Sequence, residues 1–125
     1  MYTIFYNPEE HVLESRFQGD LTLTEVKAFI SEAGSIAIEK DCTLFLTDYR
    51  EATLKLSTLE IYEVPQKMQK TFSSSTNSVH LLRRAVVAAK DLGDYRFYET
   101  VTANAGQKAR LFHDVDEAKK WLLGK

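Results

Sequence analysis

The sequence predicts a mixed α/β domain with the element order β-β-α-β-α-β-α-β-α. Three observations carry this. Short runs rich in β-branched and aromatic residues alternate apolar with polar positions. Between them, apolar residues recur every three or four positions. Helix-capping residues stand in front of those second segments. Strands that alternate with helices need crossover connections, so a mainly parallel sheet is expected. Only the first two strands follow each other directly, which predicts an antiparallel hairpin at the amino terminus. The 125 residues read as a single domain, 1–125, with no internal repeat and no linker.

The first strand is the alternating run Tyr2, Ile4, Tyr6 with Thr3 and Phe5 between. Asn7-Pro8-Glu9-Glu10 turns the chain, and residues 11–19, with Val12, Leu13 and Phe17, form the second strand. Thr22-Leu23-Thr24-Glu25 has the pattern of a capping box, and Val26, Phe29, Ile30, Ala33 and Ala37 give a helix over about 23–38 one apolar face. Gly34 lies within it and either permits close packing or merely weakens the helix. Residues 42–49 are an apolar strand suited to the middle of a sheet, and residues 50–56 read as a loop.

Ser57-Thr58-Leu59-Glu60 is a second capping box, opening a helix through Ile61, Val64, Met68 and Phe72. Pro65 predicts a kink or restart there, because its ring clashes with the preceding turn. Residues 73–78 form a polar turn, and residues 84–89 have a buried-strand pattern. Asp94 can cap a helix to about Asn104, with Gly106 as its stop. Residues 108–112 are a short last strand. A third capping box, Asp114-Val115-Asp116-Glu117, leads into a helix carrying Ala118, Trp121 and Leu122, with Trp121 expected in the core.

Bulk features exclude several function classes. Hydrophobic residues are 44% and charged residues 27%, which is globular rather than disordered composition. The net charge of −2 implies no general attraction to nucleic acid, and Arg83-Arg84 is far short of a basic footprint. That average hides a division: residues 1–62 carry 5 basic and 11 acidic side chains, and residues 63–125 carry 11 and 7. No apolar run approaches the ~20 residues that span a bilayer. The amino terminus lacks a signal-peptide pattern. Cys42, the only cysteine, cannot form an internal disulfide and fits a reducing compartment. The expectation is a cytoplasmic protein without membrane insertion.

Catalytic and cofactor motifs are absent. There is no Gly-x-Ser-x-Gly elbow, Walker loop or Gly-x-Gly-x-x-Gly. His11, His80 and His113 are isolated, and His113-x-x-Asp116 supplies too few ligands for a metal. No metal or cofactor is expected, and a small hydrolase, which would need a nucleophile within hydrogen-bond reach of a base, ranks behind the non-enzymatic readings. Polar residues do converge at predicted carboxyl strand ends, where ligands of open α/β sheets bind. Asp48 and Arg50 end one strand, Lys90 and Asp91 the next, and Ser57 with Thr58 opens the intervening helix. Free N–H groups at that helix start can hold an anion. These six residues are candidates for binding a small polar or anionic ligand. Tyr95 and Tyr98, one helical turn apart, are candidates for an interface.

Several segments resemble the SpoIIAA-like, STAS-related proteins. They are Gly19-Asp20-Leu21-Thr22, Arg84-Ala85-Val86-Val87, Tyr95-Arg96-Phe97-Tyr98-Glu99-Thr100, Arg110-Leu111-Phe112-His113-Asp114 and Glu117-Ala118-Lys119-Lys120-Trp121-Leu122. The strand ending in Phe, the acidic cap and the Ala-x-x-Trp-Leu helix are the most recognisable. The resemblance implies a SpoIIAA-like fold and a non-enzymatic regulatory or protein-interaction role with a protein partner; homodimerisation through the third helix or an exposed sheet edge is a separate expectation. In the antagonists of anti-sigma factors a serine opening the second helix is phosphorylated; the positional match is Ser57. Its flanks, Leu54-Lys55-Leu56-Ser57-Thr58-Leu59, depart from the Asp-Ser-Ser-Gly type of signature found there.

Overall fold

Two-residue alternation shapes the first hairpin. β1 (Tyr2–Asn7) pairs antiparallel with β2 (Val12–Leu21), Tyr2 lying opposite Phe17 and Asn7 opposite Val12. The turn closes on Asn7, whose Oδ1 accepts the N–H groups of Glu9 and Glu10. The computed structural model describes residues 1–72, 81–89 and 93–124. The remaining elements are α1 (Leu23–Lys40), β3 (Leu44–Leu54), α2 (Thr58–Thr71), β4 (Arg83–Val87), α3 (Gly93–Asn104), β5 (Lys108–Phe112) and α4 (Val115–Leu123). The sheet order is β1-β2-β3-β4-β5, parallel from β2 onward. The expected element order and mixed sheet are therefore present.

Sheet order and handedness together place the helices. Each crossover from β2 to β5 steps the same way across the sheet, and right-handed crossovers then deposit their helices on one face. The core follows that prediction. Leu13, Phe17, Phe45, Tyr49 and Val86 pack with Val26, Phe29, Ala33, Val64 and Met68 of α1 and α2. Val12, Leu46, Ala85 and Val87 point the other way and pack on Ala118 and Leu122 of α4. Alternate residues of one strand thus serve two cores.

The strand boundaries correct the sequence expectation in one consequential place. β3 does not end at Tyr49, and residues 50–54 are not a loop. Beyond Asp48 it leaves β4 and continues beside β2, Glu51 opposite Gln18 and Leu54 opposite Leu21. The register slips between Arg16 and Gln18, where Tyr49 and Arg50 of β3 together face Phe17 alone, a β-bulge. The charged sequence Arg50-Glu51 hid this strand because a ribbon with one open face tolerates charge. Cys42 precedes β3 rather than opening it; it is buried, its Sγ donates to the His11 and Leu44 carbonyls, and burial pushes the thiol pKa up. β4 ends at Val87, two residues before the expected limit.

Smaller differences concern caps and Pro65. Of the three capping boxes, only Ser57–Glu60 closes in both directions. Thr22 accepts from Glu25, but the Glu25 carboxylate pairs with the amino-terminal ammonium instead. Asp114 caps α4 through the N–H of Asp116 rather than that of Glu117. α3 starts at Gly93, so Asp94 lies inside its first turn and not at the cap. α2 runs through Pro65 without the expected restart. Ile61, Val64, Pro65 and Met68 are all buried, and the Pro65 carbonyl accepts from Gln107, itself bonded to buried Arg84. Tertiary packing thus holds the turn that proline weakens. Trp121 is half-buried, not core; the Arg83 guanidinium lies 4.4 Å from its ring centroid.

α1 and α2 meet closely at Gly34. A Cβ there would lie 2.5 Å from Thr71 Cγ2. Thr71 cannot turn away freely, because its Oγ1 donates to the Lys67 carbonyl at 2.8 Å. Overpacking costs ~1–3 kcal/mol, against a helix-propensity gain of ~1 kcal/mol for Gly→Ala. Gly34→Ala should therefore lower stability by about 1 kcal/mol in urea unfolding. Adding Thr71→Ser, which removes the obstructing methyl, should recover most of that loss.

Candidate functional site

The face opposite α1, α2 and α3 is only partly covered. α4 lies over β3, β4 and β5, leaving β1, β2 and the extension of β3 facing outward. Period-two alternation puts Thr3 and Phe5 of β1, and Glu14, Arg16 and Gln18 of β2, on this side. Phe5 is 61% exposed. Beside the first turn of α4 the surface sinks into a depression of about 460 Å³, walled by Asp114, Val115 and Asp116 and floored by Arg16, Leu46, Asp48 and Arg50.

Asp48 organises that floor. It is 8% exposed. Its Oδ1 accepts from the Arg50 backbone N–H at 3.0 Å and from Arg50 Nε at 3.0 Å, and its Oδ2 accepts from Arg50 Nη2 at 2.8 Å. Period-two alternation puts residue 50 on the face of residue 48, where its guanidinium can fork the carboxylate. Arg16 approaches the same carboxylate more loosely, Nε to Oδ2 3.7 Å, with its side chain 56% exposed. Burial pushes the Asp48 carboxyl pKa up. The Arg50 hydrogen bonds, the Arg50 charge and then the Arg16 charge outweigh that and hold it below the ordinary value. In turn, Asp48 raises the Arg50 pKa, first through the hydrogen bond and then through its charge.

Charges around the floor are unevenly spent. Glu14 accepts from Asn7 and lies 3.6 Å from Lys119 of α4, which also holds Glu10 at 3.0 Å. Asp48 and Arg50 neutralise each other. Arg16 retains the most available positive charge, and Asp114 and Asp116 add negative charge at the rim. The surface therefore presents a cation, two carboxylates and an exposed aromatic ring.

Of the six predicted ligand residues, the four that are described do not lie together at one strand-end edge. Asp48 and Arg50 meet, but mid-strand and on the outer face rather than at a strand end. Leu54, where β3 stops, is six residues further, about 20 Å along the strand. Ser57 and Thr58 follow that end and open α2 on the opposite face; both are exposed. Ser57 Oγ accepts from Glu60 N at 3.2 Å, while Glu60 Oε1 accepts from Ser57 N at 2.8 Å. A carboxylate already occupies that helix start, and a phosphoryl group on Ser57 would meet it. Lys90 and Asp91 lie outside the described residues. Tyr95 and Tyr98 are on α3, but their side chains are not among those described. Among the described residues, no cluster of metal-ligating side chains occurs, and no helix is long and apolar enough to cross a membrane. Arg16 was missed by the sequence reading. Its signal was the polar alternation Glu14, Arg16, Gln18 on one side of β2.

The Asp48 fork has a pH signature. Its folded carboxyl has a pKa lower than the unfolded one, so its stabilisation is full above the ordinary value of ~3.9 and fades as pH falls through the lowered one. Asp48→Asn should cost about 1 kcal/mol at pH 7, since solvent screens the half-exposed arginines. The gap between the two proteins should narrow as pH falls below ~4. Chemical unfolding at several pH values measures it.

No family model and no curated protein sequence matches the chain. Among solved structures it is similar to an uncharacterised protein of the DUF3478 family from Shewanella loihica PV-4, described as having a SpoIIAA-like fold. The TM-score is 0.60 at 17% identity, over 98% of this chain and 92% of that one. The chain has a SpoIIAA-like fold, as the sequence resemblance implied.

Proposed function

We propose that this chain is a non-enzymatic regulatory domain that binds a protein partner across the open face of β1, β2 and β3. The observation that carries the proposal is Arg16, a half-exposed cation held only loosely by Asp48, between exposed Phe5 and the acidic start of α4. A small anion would gain Arg16 but meet Asp114 and Asp116. A polypeptide can offer an acidic group to Arg16, a basic group to the α4 rim and an apolar side chain to Phe5 at once. Such mixed-sign complementarity selects a partner rather than a simple ion.

The same geometry supports a non-catalytic reading. Among the described residues, no histidine or cysteine lines the depression. Asp48, its most buried acid, is fixed by three hydrogen bonds from Arg50 and held ionised, so it is unsuited to proton transfer. The SpoIIAA-like fold agrees with a regulatory role.

Affinity capture from the native cell tests this. The wild-type protein should retain a specific partner that Arg16→Glu loses by tenfold or more. Ser57→Ala should retain it, at a stability cost of ~1 kcal/mol for the lost cap. Retention of the same partner by Arg16→Glu would place binding elsewhere. No captured partner, combined with a reproducible thermal shift by a small metabolite, would replace the proposal with ligand binding.

A further inference from the structure

The sheet has two edges, and they are treated differently. At β5 the Leu111 N–H donates to the Glu99 carboxylate of α3, which satisfies an outward donor of that edge. At β1, Met1 and Gln18 exchange both backbone hydrogen bonds. In an antiparallel ladder such pairs alternate. Thr3, Phe5 and Asn7 therefore point their backbone groups at β2, and Tyr2, Ile4 and Tyr6 point theirs outward. Among the described residues, nothing covers those outward groups. Nor does β1 carry a lysine, proline, charge or bulge, the usual guards of an exposed edge.

We propose that this edge is completed by a second copy of the chain, through antiparallel pairing of the two β1 strands about a two-fold axis at Ile4. The sequence Tyr2-Thr3-Ile4-Phe5-Tyr6 is nearly self-complementary about that centre. Ile4 meets the partner's Ile4, and Tyr2 meets the partner's Tyr6. This register places outward-pointing residues only against outward-pointing residues, so every free N–H and C=O of the three gains a partner. Thr3 comes beside the partner's Phe5, and no like charges stand opposite each other.

A second element obeys the same symmetry. α1 flanks β1 with a stripe of Glu32, Ile36 and Lys40, spaced by four residues. The Glu32 carboxylate accepts from the Tyr2 hydroxyl at 2.7 Å, and Lys40 Nζ lies 5.7 Å from the Tyr6 ring centroid. Pairing Tyr2 with the partner's Tyr6 brings Glu32 toward the partner's Lys40, with Ile36 near the axis. Strand and helix stripe thus demand one and the same register, with complementary charge at both ends. The two open faces become continuous, and the partner's Phe5 extends the wall beside Thr3.

Sedimentation of the purified protein tests this independently of any other binding partner. A concentration-dependent dimer is expected, with the Tyr2, Ile4 and Tyr6 amides protected from hydrogen exchange in the dimer and exchanging in the monomer. Glu32→Lys and Lys40→Glu should each weaken the dimer roughly fivefold at low salt, because each disrupts two symmetric pairs. The double swap should restore it. Ile4→Pro removes the central outward donor and should give a monomer; the charge swaps keep the test valid if that variant fails to fold. A monomer at all concentrations, a dimer whose three amides stay unprotected, or single swaps without effect would each overturn the proposal.

Discussion

A five-stranded sheet has two faces to cover, and among the described residues one helix lies on the second. Strands spaced ~4.8 Å apart give a sheet about 19 Å wide, whereas a helix with its side chains is ~10–12 Å across. α4 must therefore leave strands bare. Three parallel crossovers in one direction commit α1, α2 and α3 to the same side. Lys119, reaching back to Glu10 and Glu14, ties α4 to β2 without covering it. The polar outer face of β1 and β2 and the bulged extension of β3 follow from this shortage.

The bare face is consistent in its chemistry. Residues that point inward on β2 and β3 are Leu13, Phe17, Phe45 and Tyr49, and those that point outward beyond α4 are Glu14, Arg16, Asp48 and Arg50. One strand reads as core from one side and as solvated surface from the other. Arg50, two residues after Asp48, falls on the same outer side, and the Asp48 carboxylate accepts from both its main chain and its side chain. Ser57 belongs to a different place. It opens a helix on the covered face, with its capping role filled and a carboxylate beside it.

Much of this was legible in the sequence. Periodicity and caps found every element, and the Ser57–Glu60 box was readable because it is local. β3 was cut short because its last residues are charged and pair only with β2, a long-range fact that local pattern does not carry. The bulge also broke the alternation that would have signalled a strand. Pro65 suggested a break because propensity weighs the lost hydrogen bond but not the burial of Ile61, Val64 and Met68 that offsets it. Asp48 and Arg50 were singled out because both stand near the predicted end of one strand. Their position mid-strand, and the part played by Arg16, needed the register between β2 and β3.

The most direct measurement is hydroxyl-radical footprinting of the isolated protein, comparing Phe5 with Phe17. Both are phenylalanines of the first hairpin, but Phe5 is 61% exposed and Phe17 is 0% exposed. If the second face is left bare as described, Phe5 oxidises rapidly while Phe17 is untouched. If Phe5 is as protected as Phe17, that face is covered in the free protein and the account of an open recognition surface is contradicted.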